Sequence, residues 1–124
     1  MNRPRILNIC TVALAKRSEA VLLCVGLDEI SESEGLDRST LALSEGQDAL
    51  IKAVCAANPN VVLVLSGGAP FLLPEAPCRA ILHGYLNGQA GAAAMVDALM
   101  GKVVPSGRLA ETWPLSLEDC PATP

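Results

Sequence analysis

Three short apolar runs set the pattern of the chain. Ala20-Val21-Leu22-Leu23-Cys24-Val25-Gly26 and Val61-Val62-Leu63-Val64-Leu65 show no polar alternation. Each therefore reads as a strand buried on both faces, as in a parallel sheet. Ala80-Ile81-Leu82-His83 reads as a third, shorter strand before a turn rich in glycine at Gly84, Gly88 and Gly91. Between the first two runs, Ser44 stands three residues before Gln47 as a capping box. Leu50, Ile51, Val54 and Cys55 follow at helical spacing until Asn58-Pro59 ends the helix. Residues 92–100 read as another helix, closed by Gly101, and the apolar run 6–15 leads into Lys16-Arg17-Ser18 as the end of a helix would. Alternation of strand and helix predicts an α/β fold, a three-layer α/β/α sandwich with a short, mostly parallel sheet. Residues 1–124 are expected to form one domain.

In such a sheet the strands point the same way, so the segments that follow them gather at one edge, where function is sought. Three loops are placed there: 27–40, 66–74 and 84–91. The first carries Asp28, Glu29, Glu32, Glu34 and Asp37, with Arg38 as the only cation in the span. The alternating oxygen ligands around a glycine that calcium requires are missing, so no metal is expected. On composition alone the loop reads as a solvated acidic face. His83, at a strand end, reads as a buried histidine with its hydrogen bonds satisfied.

Composition narrows the partners. Hydrophobic residues make up 51% of the chain but aromatic ones only 2%, so the core is expected to be aliphatic, with Phe71, Tyr85 and Trp113 as exceptions. A net charge of −4 with scattered signs gives no footprint for nucleic acid or for an anionic membrane. Five cysteines without a Cys-x-x-Cys pair argue against a disulfide framework or a zinc site, and read as buried thiols in a reducing compartment. Arg3 and Arg5 before the run 6–15, with Ala13-Leu14-Ala15, have some features of a secretion signal. Asn8 and Thr11 interrupt that run, so a cytoplasmic location is expected rather than a secreted or periplasmic one. No Gly-x-Gly-x-x-Gly follows a strand, which removes the dinucleotide-binding reading.

An ordered set of segments carries more information than any one of them. Val25-Gly26-Leu27-Asp28-Glu29 is followed by Glu32-Ser33-Glu34-Gly35-Leu36-Asp37-Arg38, Leu41-Ala42-Leu43, Gln47, Asn58-Pro59-Asn60 and Ser66-Gly67-Gly68-Ala69-Pro70. Gly88-Gln89, Val103-Val104-Pro105-Ser106-Gly107-Arg108-Leu109 and Thr112-Trp113-Pro114 complete it. From Leu14 to Pro121 this series resembles the carboxyl-terminal part of the second domain of family 3 glycoside hydrolases of the β-glucosidase type.

The resemblance implies a retaining glycosidase acting at the non-reducing end of β-glucosides, with no cofactor. In that family an Asp nucleophile sits on a preceding barrel domain and the acid/base Glu on a loop of the second domain, directly before Gly-x-Asp-Arg. Glu34 matches that position, with Glu32 as runner-up. Asp37 and Arg38 are expected to pair and hold the loop, although Asp37 as a nucleophile within the chain is a sharper alternative. The barrel and its nucleophile are not among these 124 residues. The implied partners are therefore a β-glucoside or oligosaccharide, and either a barrel domain or further copies of the chain in a homo-oligomer.

Departures from the family pattern cluster on the ligand side. Leu86-Asn87-Gly88-Gln89-Ala90-Gly91 lacks the usual Glu, Pro74-Glu75 stands where a Trp is common, and Leu65 stands where Asn often precedes Ser-Gly. These losses put substrate contact in doubt; a second reading is a non-catalytic stand-alone remnant acting as a sugar-binding or assembly module, and for it the lost Trp and Glu argue against tight sugar recognition.

Overall fold

The computed structural model describes residues 3–120; Pro121, where the family resemblance ends, lies outside them. Helix α1 (Arg3–Ala15) leads into strand β1 (Val21–Gly26). Helix α2 (Glu45–Ala57), strands β2 (Val61–Ser66) and β3 (Ala80–His83), and helix α3 (Gly91–Leu99) follow, and the described chain closes in a short 3₁₀ turn (Leu117–Asp119). The sheet has the order β1-β2-β3, with both pairings parallel. Leu23 is in register with Leu63, and Leu63 with Ile81.

Parallel register puts Leu23, Val25, Val61, Leu63 and Leu65 on one face of the sheet, where they meet Ile51, Val54 and Cys55 of α2 and Ala15 of α1. Ile51, Val54 and Val61 are fully buried. At this depth each such side chain contributes about 1.5–3 kcal/mol by leaving water. Phe71, 1% exposed, is the largest fully buried side chain, so the mainly aliphatic core closes around one ring.

The strands are not buried on both faces as their composition suggests. Along β1, exposed and buried residues alternate: Leu22 is 58% exposed while Leu23 is 7%. The physical reason is coverage, because α1 and α2 both add their apolar residues to the same core, and α3 contributes none. Cys24 stands on the uncovered face and is exposed, as is Cys10 on α1. Only Cys55 is fully buried, and all five cysteines are free thiols, so most of them are not the buried thiols expected from the sequence.

Helix α2 starts where Ser44 accepts a hydrogen bond from the Gln47 N–H at 3.4 Å. It ends at Asn58, whose backbone N–H caps the Val54 carbonyl before Pro59 stops the helix. Asn58 is also the one buried polar residue of the described core, and its side chain is fully used. Its amide donates to the carbonyls of Ala15 and Ser18, both at 2.8 Å, and its oxygen accepts from the Asn60 N–H at 2.7 Å. This fastens the end of α1 to the end of α2, and a buried amide carries little penalty only when it is satisfied in this way.

Candidate functional site

The carboxyl ends of the three strands feed three loops that are stitched edge to edge. Gly26, at the end of β1, lies so close to β2 that a Cβ there would come 1.8 Å from the Ser66 carbonyl oxygen. The Leu27 N–H donates to that same oxygen at 3.0 Å, and the Gly84 N–H to the Leu65 oxygen at 2.9 Å. Residues 27–40 then run through turns and irregular backbone without a helix.

This acidic loop is organised locally first. The Asp28 carboxylate accepts from the Ser31 N–H at 2.8 Å, and the Glu32 N–H donates to the Asp28 carbonyl at 3.1 Å. The contacts to Ser31 hold the Asp28 carboxyl below its usual range. The Leu36 N–H donates back to the Ser33 carbonyl at 3.2 Å, closing a turn in which Gly35 takes a φ of 76°, a conformation suited to glycine.

Two side chains then cross to the loop after β2. The Glu32 Oε1 accepts from the Gly68 N–H at 2.7 Å and from the Ala69 N–H at 3.0 Å. The Arg38 Nη2 donates to the Pro70 carbonyl. Gly68 sits close to both partners: a Cβ would meet the tip of the exposed Leu86 side chain at 2.9 Å, which can swing aside, and the Glu32 carboxylate at a tight 3.3 Å. A parallel bridge between Ala42 and Leu72, with the Leu72 N–H on the Leu41 carbonyl at 2.7 Å, continues the seam.

Glu34 lies between these anchors, exposed, and makes no hydrogen bond or ion pair with any described residue. The hollow of about 380 Å³ inside the loop is lined by residues including Leu27, Leu36, Asp37 and Arg38, and not by Glu34. Asp37 is exposed and makes no ion pair with Arg38, whose guanidinium goes to Pro70 instead. Among the described residues no group of three or more His, Cys, Asp or Glu is arranged to hold a metal ion.

Behind the second and third loops the few rings collect. His83 packs on Tyr85 at 4.0 Å between centroids, on Trp113 at 5.1 Å and on Phe71 at 6.0 Å. Neither of its ring nitrogens finds a hydrogen-bond partner among the described residues, so this histidine is packed but not satisfied. Burial pushes its pKa down, opposed in part by the Leu65 backbone. Tyr85, at a φ of 55°, accepts from the Ala110 N–H on its hydroxyl at 2.9 Å and so draws the segment 103–113 against the third loop. This cluster brings together rings that sequence spacing treats as isolated; the signal that could have found it was their scarcity.

The arrangement matches known proteins in sequence and in shape. An exo-α-(1→6)-L-arabinopyranosidase of Bifidobacterium longum is 44% identical over 115 residues, which are 90% of this chain and 15% of the relative. The thermostable β-glucosidase B of Acetivibrio thermocellus is 40% identical over 109 residues, 87% of this chain and 14% of that protein. A family 3 β-glucosidase structure from Bifidobacterium adolescentis superposes with a TM-score of 0.88 at 44% identity, over 94% of this chain and 18% of its own. A β-glucosidase of Kluyveromyces marxianus, solved with glucose, gives 0.86 at 35% identity, over 93% and 14%. The chain thus spans less than a fifth of the length of these relatives. The family model of the glycosyl hydrolase family 3 C-terminal domain matches residues 8–124, and the chain belongs to that family.

Proposed function

We propose that this chain is the part of a retaining glycoside hydrolase of the β-glucosidase type that presents the acid/base carboxyl, Glu34, to a glycosidic oxygen. The observation that supports this most is the contrast between the two candidate carboxylates. Glu32 is spent on the Gly68 and Ala69 amides, while Glu34, two residues on, is exposed and unengaged at the sheet's carboxyl edge. A proton donor must reach the leaving oxygen across the sugar from a carboxylate nucleophile, about 5–5.5 Å away in retaining enzymes. In this reading the nucleophile comes from a barrel domain docked over the loop edge, and the substrate is a β-glucoside or oligosaccharide bound between the two.

Names of relatives set the breadth of the reading. β-Glucosidases and an α-L-arabinopyranosidase are both among them, so the shared statement is glycoside hydrolysis, and β-glucoside is the narrower proposal.

The test is a graft of this chain in place of the matching segment of the Bifidobacterium adolescentis β-glucosidase. A hybrid that hydrolyses nitrophenyl β-glucoside should lose most turnover on poor leaving groups when Glu34→Gln is introduced. It should lose far less on dinitrophenyl glycosides, which leave without protonation. General acid catalysis contributes about 10²- to 10⁴-fold, which sets the size of the loss. An active hybrid indifferent to Glu34→Gln refutes the assignment.

A further inference from the structure

We infer that Glu32 is a positioning residue, whose carboxylate clamps the acidic loop to the turn after β2 and thereby fixes where Glu34 stands. The inference rests on the acid/base reading for the meaning of Glu34, but the clamp itself is a separate structural fact.

Glu32 and Arg38 flank Glu34 at two residues before and four after, and both reach the same short stretch of the neighbouring loop. One carboxylate oxygen takes two consecutive amides, Gly68 at 2.7 Å and Ala69 at 3.0 Å, and the guanidinium takes the next carbonyl, that of Pro70. The carboxylate thus takes two consecutive backbone donors of this stretch and the guanidinium takes an acceptor beside them. The loop is long and irregular, and among the described residues the one backbone hydrogen bond between these two anchors closes the turn at residues 33–36. Hydrogen bonds to a charged acceptor are roughly twice as strong as neutral ones, so Glu32 is the stronger fastening on its side of Glu34. The absence of a side chain at Gly68 fits the same role, because a Cβ there would crowd both Leu86 and the carboxylate. Catalytic groups must be held to within a fraction of an ångström, and mobile loops attain this only through such supporting contacts.

The experiment uses the 124-residue chain, labelled with ¹⁵N, and requires no turnover. Amide exchange at Gly68 and Ala69 and backbone relaxation at residues 33–36 are compared in wild type, Glu32→Ala, Glu32→Gln, Gly68→Ala and Glu34→Ala, each checked for fold by circular dichroism. Glu32→Ala is expected to speed exchange of the two amides by about tenfold, the equivalent of one hydrogen bond to a charged group, and to raise mobility at residues 33–36. Glu32→Gln keeps an acceptor oxygen without the charge and should restore about half of both. Gly68→Ala, whose methyl group meets a movable Leu86 tip and a carboxylate at 3.3 Å, should disturb the two amides less than Glu32→Ala does, and Glu34→Ala should leave them as they are. The core amides of Leu63 and Leu65 should not respond in any variant. If Glu32→Ala fails to fold, Glu32→Gln decides the matter, because loss of the carboxylate's charge must still speed exchange at Gly68 and Ala69 relative to wild type. The inference is overturned if residues 33–36 are as ordered in Glu32→Ala as in wild type, if Glu32→Gln behaves like Glu32→Ala, or if the core amides loosen to the same degree. Failure of the Glu34→Gln hybrid would remove the acid/base reading and leave this result standing.

Discussion

Gln47, in the first turn of α2, pairs with Gly26, the last residue of β1, through both edges of its amide. Its Oε1 accepts from the Gly26 N–H at 2.9 Å and its Nε2 donates to the Gly26 carbonyl at 2.8 Å. The side chain replaces a neighbouring strand at the point where β1 gives way to the acidic loop, and so fixes the direction in which that loop departs. Gln47→Ala is expected to cost about 1–3 kcal/mol, the loss of two modest bonds with two backbone groups left unpaired. Gln47→Glu should cost at least as much, because it sets an acceptor against the Gly26 carbonyl. Urea unfolding midpoints measure both; an unmoved midpoint in Gln47→Ala would show that water substitutes freely.

Gly26 itself tolerates no side chain. A Cβ at 1.8 Å from the Ser66 oxygen and 2.8 Å from its carbonyl carbon would collide with backbone, which cannot swing aside as a side chain can. Gly26→Ala must part β1 from β2 at the end that carries the acidic loop. Its cost should reach or exceed the upper end of the ~1–3 kcal/mol typical of overpacking. Soluble yield and the unfolding midpoint read this out, and a midpoint equal to wild type would contradict the close approach.

Most of the fold was legible in local pattern. The three strands and α2 fall within a residue of the positions that their apolar runs, caps and Asn-Pro stop indicate, and the parallel order follows from strand and helix alternation. What was not legible depends on partners far along the chain. Ser44 and Gln47 have the spacing of a capping box, but only the Ser44 half forms, because the Gln47 side chain is taken by Gly26, 21 residues away. Glu32 and Glu34 are nearly equivalent in sequence, and only the Gly68 and Ala69 amides, 36 and 37 residues on, distinguish them. Arg38 stands beside Asp37 but bonds to Pro70, 32 residues distant. Periodicity reports which face of an element is apolar, and it carries no information about which loop will lie against which.

His83 gives the chain a pH dependence of definite sign. Burial lowers its pKa in the folded state below the ordinary 6.5, so the unfolded chain binds the proton more readily. The stability that depends on neutral His83 is therefore complete above about pH 6.5 and is lost as pH falls toward the lowered folded value. His83→Phe should flatten the stability profile in that window and, by removing two buried unpartnered nitrogens, improve stability at its acid end by about 1 kcal/mol. Thermal or urea unfolding across pH 5 to pH 8 tests this, and an unchanged slope in His83→Phe would locate the titration elsewhere.

The thiols should separate cleanly in their reactivity. Cys10 and Cys24 are exposed, whereas Cys55 is 3% exposed, with its pKa pushed up by burial and by the neighbouring Cys78. Thiolate is the reactive form, so both access and ionisation disfavour Cys55. Brief treatment with iodoacetamide followed by mass spectrometry should label Cys10 and Cys24 first and Cys55 only after denaturant is added. Early labelling of Cys55 would mean that α2 opens readily from the sheet.

Hydrolysis of aryl β-glucosides by the 124-residue chain is expected to be indistinguishable from buffer. Retaining hydrolysis needs a second carboxyl about 5–5.5 Å from the acid/base, on the opposite face of the sugar. Glu32 cannot supply it while its carboxylate is engaged by Gly68 and Ala69. Asp37 is exposed on the same loop, three residues from Glu34, and lines a hollow that Glu34 does not share, so the two carboxyls do not face each other across one site. General acid assistance alone, at about 10²- to 10⁴-fold, falls far short of enzymatic acceleration, which begins near 10⁶-fold. The assay is nitrophenol release by the purified chain beside Glu34→Gln and Asp37→Asn. Activity in the wild type that Asp37→Asn abolishes would establish a nucleophile within this loop, and the barrel-supplied nucleophile on which the proposed function depends would have to be given up.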